Sequence, residues 1–203
     1  MKRLGKVLAA ILAPIGVFLL VEVIWEIFFS MAYSVGIIIQ LFFYKKAPDI
    51  LRSLPNIIMS LIQTPDFIKL ATITGELVIG ILLLLWYLKL TRFEKNGYYK
   101  RVFTAKNILI ILILGIGAQF FTSGGMTLLQ PLLEPLMDDY AKIMESIDSG
   151  SPVLVVLLVV FVGPFAEEMT FRGVMMKKLG RILPFAAANI LQAAAFGIFH
   201  LNI

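Results

Sequence analysis

Val153-Leu154-Val155-Val156-Leu157-Leu158-Val159-Val160-Phe161-Val162-Gly163-Pro164-Phe165-Ala166-Glu167-Glu168-Met169-Thr170-Phe171-Arg172-Gly173 is an apolar run that ends in two adjacent carboxylates and an arginine. Thirteen residues from Val153 to Phe165 carry no charge, which reads as a helix whose solvent is lipid. Charges inside such a helix are costly, so they face a bundle interior or a water-filled cavity. Glu168 and Arg172 are four apart, lie on one helical face and can pair. Glu167 points about 100° away by the 3.6-residue period. One carboxylate is thus held by the arginine while its neighbour faces elsewhere.

The rest of the chain agrees with a membrane setting. Of its 203 residues 60% are hydrophobic and only 15% charged, with 16 Phe. That is too little polar surface to cover a soluble domain. An N-terminal basic stretch (Lys2, Arg3, Lys6) precedes an apolar run from Val7 to Tyr44. The run is too long for a signal peptide core and lacks a small-x-small cleavage site. It reads as one long tilted helix, the alternative being two re-entrant helices broken near Pro14 or Gly36. Residues 45 to 66, with Pro48, Pro55 and Pro65, read as an interfacial segment. Further spans are predicted from Phe67 to Leu90, from Asn107 to about Gln130, from Val153 through the carboxylates, and from near Pro184 to the chain end. The fold class is therefore all-α, a polytopic membrane bundle of about five spans plus the interfacial segment. Residues 1–104 form an N-terminal transmembrane region and 105–203 the part that carries the chemistry.

With the N-terminus placed in the cytoplasm, 13 Lys and Arg fall inside and 5 outside, out of the 18 in the chain. That bias sets a cytoplasmic N-terminus in the cell membrane. The net charge of +5 is used up in this way and does not argue for nucleic acid. The absence of Cys and the single His exclude disulfides, thiolate metal sites and multi-His cages within these residues.

The last span holds Asn189, Gln192, Phe196 and His200 at spacings of 3, 4 and 4, a polar stripe expected to face the bundle and line a cavity. If the preceding helix runs to Gly180 and turns through Arg181-Ile182-Leu183, Glu167 lies 15 residues before Ile182 and His200 lies 18 after it. In an antiparallel hairpin that is a difference of only ~4.5 Å in depth. A carboxylate and an imidazole at one level can hold and deprotonate a water that attacks a peptide carbonyl. Glu22, Glu26 and Glu76 also lie in spans. They are read as groups facing a cavity or interface, with a proton-coupled transport path as the rival.

Glu-Glu-x-x-x-Arg followed some thirty residues later by Phe-x-x-x-His resembles the motif pair of the CPBP family, also called the Abi or CAAX-protease-like family. The resemblance covers residues 105 to 203 and implies an intramembrane endopeptidase acting on a membrane-associated, prenylated or bacteriocin-type substrate. It implies that Glu167 is the water-activating catalytic glutamate. Glu168 and Arg172 are the second glutamate and its arginine. Phe196 and His200 form the second motif, with His200 orienting the water. The same resemblance admits a non-enzymatic bacteriocin-immunity or scaffold protein. Family members are often labelled metalloproteases. A catalytic zinc wants about three protein ligands, and Glu167, Glu168 and His200 are the most this chain offers. A metal-free water is the favoured reading, with zinc or another divalent metal the alternative. The partners expected are the lipid bilayer and a peptide or protein substrate within it. A third family motif, His followed four residues on by Asn or Asp, does not occur before Ile203, so the chain reads as a fragment.

Overall fold

The computed structural model describes residues 2–43, 47–91, 104–129, 131, 141–142, 144–145 and 147–200. Most of the basic loop from Lys89 to Lys106, much of the acidic loop from Pro131 to Pro152, and the last three residues fall outside that set. Among the described residues six helices carry the architecture: α1 Lys2–Phe43, α2 Ala47–Ile62, α3 Pro65–Thr91, α4 Ala105–Leu129, α5 Pro152–Leu179 and α6 Phe185–His200. No strand occurs among the described residues. α1, α3, α4 and α5 are each long and apolar enough to cross a membrane. At 16 residues, α6 spans ~24 Å, short of the ~30 Å hydrocarbon layer. The long N-terminal run is one unbroken helix, and Pro14 lies inside it without ending it. The interfacial segment is the helix α2. It half-buries Leu54, Ile57, Ile58, Leu61 and Ile62 and exposes Asn56 and Ser60, the two-faced pattern of a surface helix.

Two compact units make up the chain: residues 1–92 together with 149–203, and residues 93–148. The second contains α4. The first contains the other five helices and the candidate site residues Glu167, Glu168, Arg172 and His200.

Within the first unit, both ends of the helices are pinned by polar contacts. At one end, Arg3 donates to the carbonyl of Ile182 at 3.0 Å and Arg181 to that of Leu90 at 2.6 Å. The ammonium of Lys178 lies 4.7 Å over the ring of Trp86. The start of α1, the end of α3 and the α5–α6 turn therefore meet there. At the other end, the Ser151 N–H donates to the Asp66 carboxylate at 2.6 Å, and Lys69 donates to the Ser149 carbonyl. Gly150, between these partners, has φ of +80° and would carry a Cβ against Asp66, so glycine suits the turn twice over. α3 and α5 thus run parallel to each other and antiparallel to α1 and α6.

Lipid tails are as apolar as leucine, so these helices are held by close packing and interhelical hydrogen bonds rather than by escape from water. Small residues mark the contacts. Ala166 and Ala188 are fully buried, and a side chain on Gly80 would collide with the Phe165 ring. Trp25 donates to Thr74 at 2.9 Å, tying α1 to α3 at mid-length. Two buried clusters result. One joins Ala10, Phe171, Met175, Leu179 and Ala188, and the other joins Phe18, Ile79, Leu83, Ala166 and Val174. Leucines and other aliphatics left exposed on α1 and α5, such as Leu8, Leu20, Ile24 and Val160, suit a lipid-facing surface.

Candidate active site

α5 is not a uniform α-helix. Leu157–Val162 and Glu168–Met175 are wound as π-helix. The Gly163 N–H reaches back five residues to the Leu158 carbonyl, and the Met176 N–H reaches back five to that of Phe171. Pro164 gives a reason for the first stretch. It has no N–H, and its ring would crowd the Val160 carbonyl in an α-helix, so the turn before it widens. In the second stretch the buried Thr170 hydroxyl donates to the Ala166 carbonyl at 2.7 Å, a second claimant on that acceptor. Glu167 and Glu168 sit where the helix passes from one winding to the other.

The two carboxylates face different partners. Glu168 is paired with Arg172 along α5, and the two side chains are 44% and 66% exposed. Glu167 turns toward α6, where its Oε1 lies 3.5 Å from His200 Nε2. Nothing local fixes that second meeting. It depends on the α5–α6 turn and on the rings behind His200. Phe171 is buried on α5 and meets Phe196 edge-on at 5.1 Å and Phe199 at 5.4 Å. Phe18 of α1 closes on Phe199 at 5.3 Å, and the Phe196 ring backs the imidazole at 4.4 Å. The aromatic cluster sets the height and rotation of α6, and with them the imidazole.

A cavity of about 680 Å³ opens in front of this pair. Its walls are apolar: Ile11, Ile15 and Phe18 from α1, and Leu191, Ala195 and Phe199 from α6. Glu167 and His200 line it, together with Glu22 of α1 and Glu76 of α3. Four helices thus bring a titratable group to one level. Glu76 lies fifteen residues before Thr91 and Glu167 twelve before Leu179, which is ~22 and ~18 Å from the pinned end.

Three residues expected to line the cavity do not. Asn189 is exposed, Gln192 is buried at 6% exposure, and Phe196 is occupied with Phe171. The cavity wall is the sector one residue round, Leu191, Ala194, Ala195, Ile198 and Phe199. The stripe on α6 is of mixed burial, and only His200 belongs to both the stripe and the wall. Conversely, Glu22 and Glu76 enter the site from helices that carry no motif. The available signal was the cost of a carboxylate in an apolar span. Glu26, four residues on from Glu22, is exposed and off the cavity.

Among the described residues no group of three His, Asp, Glu or Cys side chains is arranged to hold a metal ion, and Glu168 is engaged by Arg172. The titratable groups that line the cavity are Glu22, Glu76, Glu167 and His200, and of these Glu167 and His200 form the one close pair among the described residues.

Residues 149–203 match the family described as type II CAAX prenyl endopeptidase, Rce1-like. No curated protein and no solved structure matches the chain. The matched stretch is the α5–α6 hairpin, with Glu167, Glu168, Arg172, Phe196 and His200 inside it. The match over residues 149–203 is consistent with the CAAX-protease-like family.

Proposed function

We propose that the protein is an intramembrane endopeptidase in which Glu167 and His200 activate a water for attack on a peptide bond. One observation carries this reading: Glu167 Oε1 lies 3.5 Å from His200 Nε2 across two helices, on the wall of the cavity they share with Glu22 and Glu76. A water about 2.8 Å from each atom fits beside a gap of that width. Glu167 takes a proton from it as its oxygen bonds to the carbonyl carbon. The tetrahedral intermediate then collapses with cleavage of the C–N bond. The same carboxyl returns the proton to the leaving nitrogen. His200 holds the water in line with the carbonyl. The Arg172 guanidinium occupies Glu168, so that carboxylate does not compete for the water. No metal is required by this scheme. The substrate is a membrane-associated peptide or protein, and the bilayer is the other partner. The basic end at Arg3, Lys178 and Arg181 faces the cytoplasm, as the excess of Lys and Arg on that side argues.

The test is cleavage of a membrane substrate by the full-length protein in proteoliposomes. Glu167→Gln and His200→Ala should each lower turnover by roughly a hundredfold or more, the scale of general acid–base catalysis, with unfolding temperatures close to the parent. Undiminished cleavage in either variant would end the proposal.

A further inference from the structure

The cations at one pinned end of the first unit have no anion to answer them. Arg3 and Lys6 begin α1, Lys89 lies in the last turn of α3, and Lys178 and Arg181 flank the end of α5. Arg3, Lys6, Lys89 and Arg181 are exposed, and Lys178 is half-buried. None of them meets a carboxylate among the described residues, where the ion pairs are Arg172–Glu168 and His200–Glu167. Along the three helices the nearest acids are Glu22, sixteen residues beyond Lys6, Glu76, thirteen before Lys89, and Glu168, ten before Lys178. Those separations are ~24, ~20 and ~15 Å, well past the ~8 Å over which physiological salt screens exposed charges.

Polar contacts hold these groups in place without neutralising them. Arg3 donates to the Ile182 carbonyl and Arg181 to that of Leu90. A carbonyl carries no net charge, so each guanidinium keeps its own, with further N–H donors to spare. The same two bonds bring Lys6, one turn on from Arg3, and Lys89, next to Leu90, to the α5–α6 turn. Lys178 rests on the Trp86 ring, a contact that fixes an ammonium and leaves it charged. An excess of Lys and Arg that merely sets orientation needs no contacts between helices. Here three helices deliver their cations to one place.

The surface beside the cations defines the ligand. Leu4 and Leu8 of α1, Leu85 and Leu88 of α3 and Phe185 at the start of α6 are all exposed. Trp86 is an aromatic of the kind that sits at headgroup level. A soluble anion would use the cations and leave the aliphatics unanswered, whereas an amphiphile uses both. Guanidinium forks match phosphate oxygens, and ammonium groups add point charge. We infer that this end of the bundle is a binding site for an anionic glycerophospholipid. Its phosphate is received by Lys6, Lys89, Lys178 and the two guanidiniums, and its acyl chains lie along the exposed leucines. Because the cations come from three helices, the bound headgroup holds α1 and α3 against the α5–α6 turn.

The experiment takes the full-length protein in micelles of a neutral detergent and counts retained lipid by native mass spectrometry. The probes are dioleoyl phosphatidylglycerol and dioleoyl phosphatidylcholine, equal in acyl chain and different in net charge. The anionic lipid should bind at least tenfold tighter and should raise the unfolding temperature where the choline lipid does not. Lys89→Gln and Lys178→Gln should each lower that preference about fivefold, the worth of one basic side chain near an anionic surface. Lys178→Arg keeps the charge and should keep the preference. Lys106→Gln removes a charge from α4, in the other unit, and should leave the preference unmoved. Unfolding temperatures in the choline lipid check each variant, and Lys6→Gln replaces any that is unstable. Equal affinity for the two lipids would overturn the inference. Equal losses from Lys106→Gln and Lys178→Gln would do so too, by reducing the effect to net charge. Displacement of the lipid by an equal concentration of soluble glycerol 3-phosphate would overturn the lipid assignment and leave an ion site in its place.

Discussion

Glu167 and Glu168 are chemically identical and adjacent, yet one faces an imidazole on another helix and the other an arginine on its own. In the proposed mechanism the second pairing is a positioning device. With Arg172 changed to Gln, Glu168 loses its partner and becomes a loose charge beside the proposed base. Cleavage should fall, and Glu168→Gln in the same chain should recover part of the loss. Both side chains are half exposed, so the coupling between them should be about 1 kcal/mol, roughly fivefold in rate. Additive losses in that double-mutant cycle would deny the pair any role in shaping the site. Much of this was legible in the sequence, because a four-residue spacing dictates a shared helix face and hairpin arithmetic dictates a shared depth. Glu76 was legible as a group facing a cavity or interface, but not as one that shares the cavity of Glu167. Its neighbours Gly163 and Glu167 are remote in sequence, and no local spacing encodes them.

At the scale of single helices, α5 departs most from expectation. Its span, its turn and its charge pair can be read from hydropathy and the 3.6-residue period. Its two π-wound stretches cannot, because hydropathy is blind to hydrogen-bond register. Pro164 was the available clue. Restoring the missing donor with Pro164→Ala should let the preceding turn tighten and rotate the succeeding residues toward α-helical register. Since the catalytic proposal depends on where Glu167 points, turnover should drop about tenfold or more, as small misplacements of reacting groups do. Thermal stability should change little. Parallel loss of stability and activity would mean that the widened turn is merely structural. On α6 the case is the opposite. Polarity singled out a stripe, but Asn189 is exposed, Gln192 and Phe196 pack, and small and aliphatic residues form most of the wall on this helix.

Over the whole molecule, the contacts Arg3–Ile182 and Arg181–Leu90 at one end and Asp66–Ser151 at the other set the direction of four helices. They make sidedness testable. The chain has no cysteine, so an introduced thiol is the sole target for a membrane-impermeant maleimide. Lys6→Cys and Arg181→Cys should label only from the cytoplasmic face, and Gln63→Cys only from the opposite face. Labelling of Lys6→Cys and Arg181→Cys from different faces would contradict the bundle itself. Joint reversal of all three would contradict only the orientation.

The 42 residues of α1 amount to a rod of ~63 Å, about twice the hydrocarbon depth. Such a rod must lean or protrude. Its first half walls the cavity, and its second half carries Phe29 and Tyr33 against Phe67 of α3. Any slant imposed on the rod is therefore transmitted to the gap between α1 and α6. Acyl-chain length becomes a mechanical input: thicker or thinner bilayers would set the pitch of α1, and with it the width of the cavity that α1 and α6 wall.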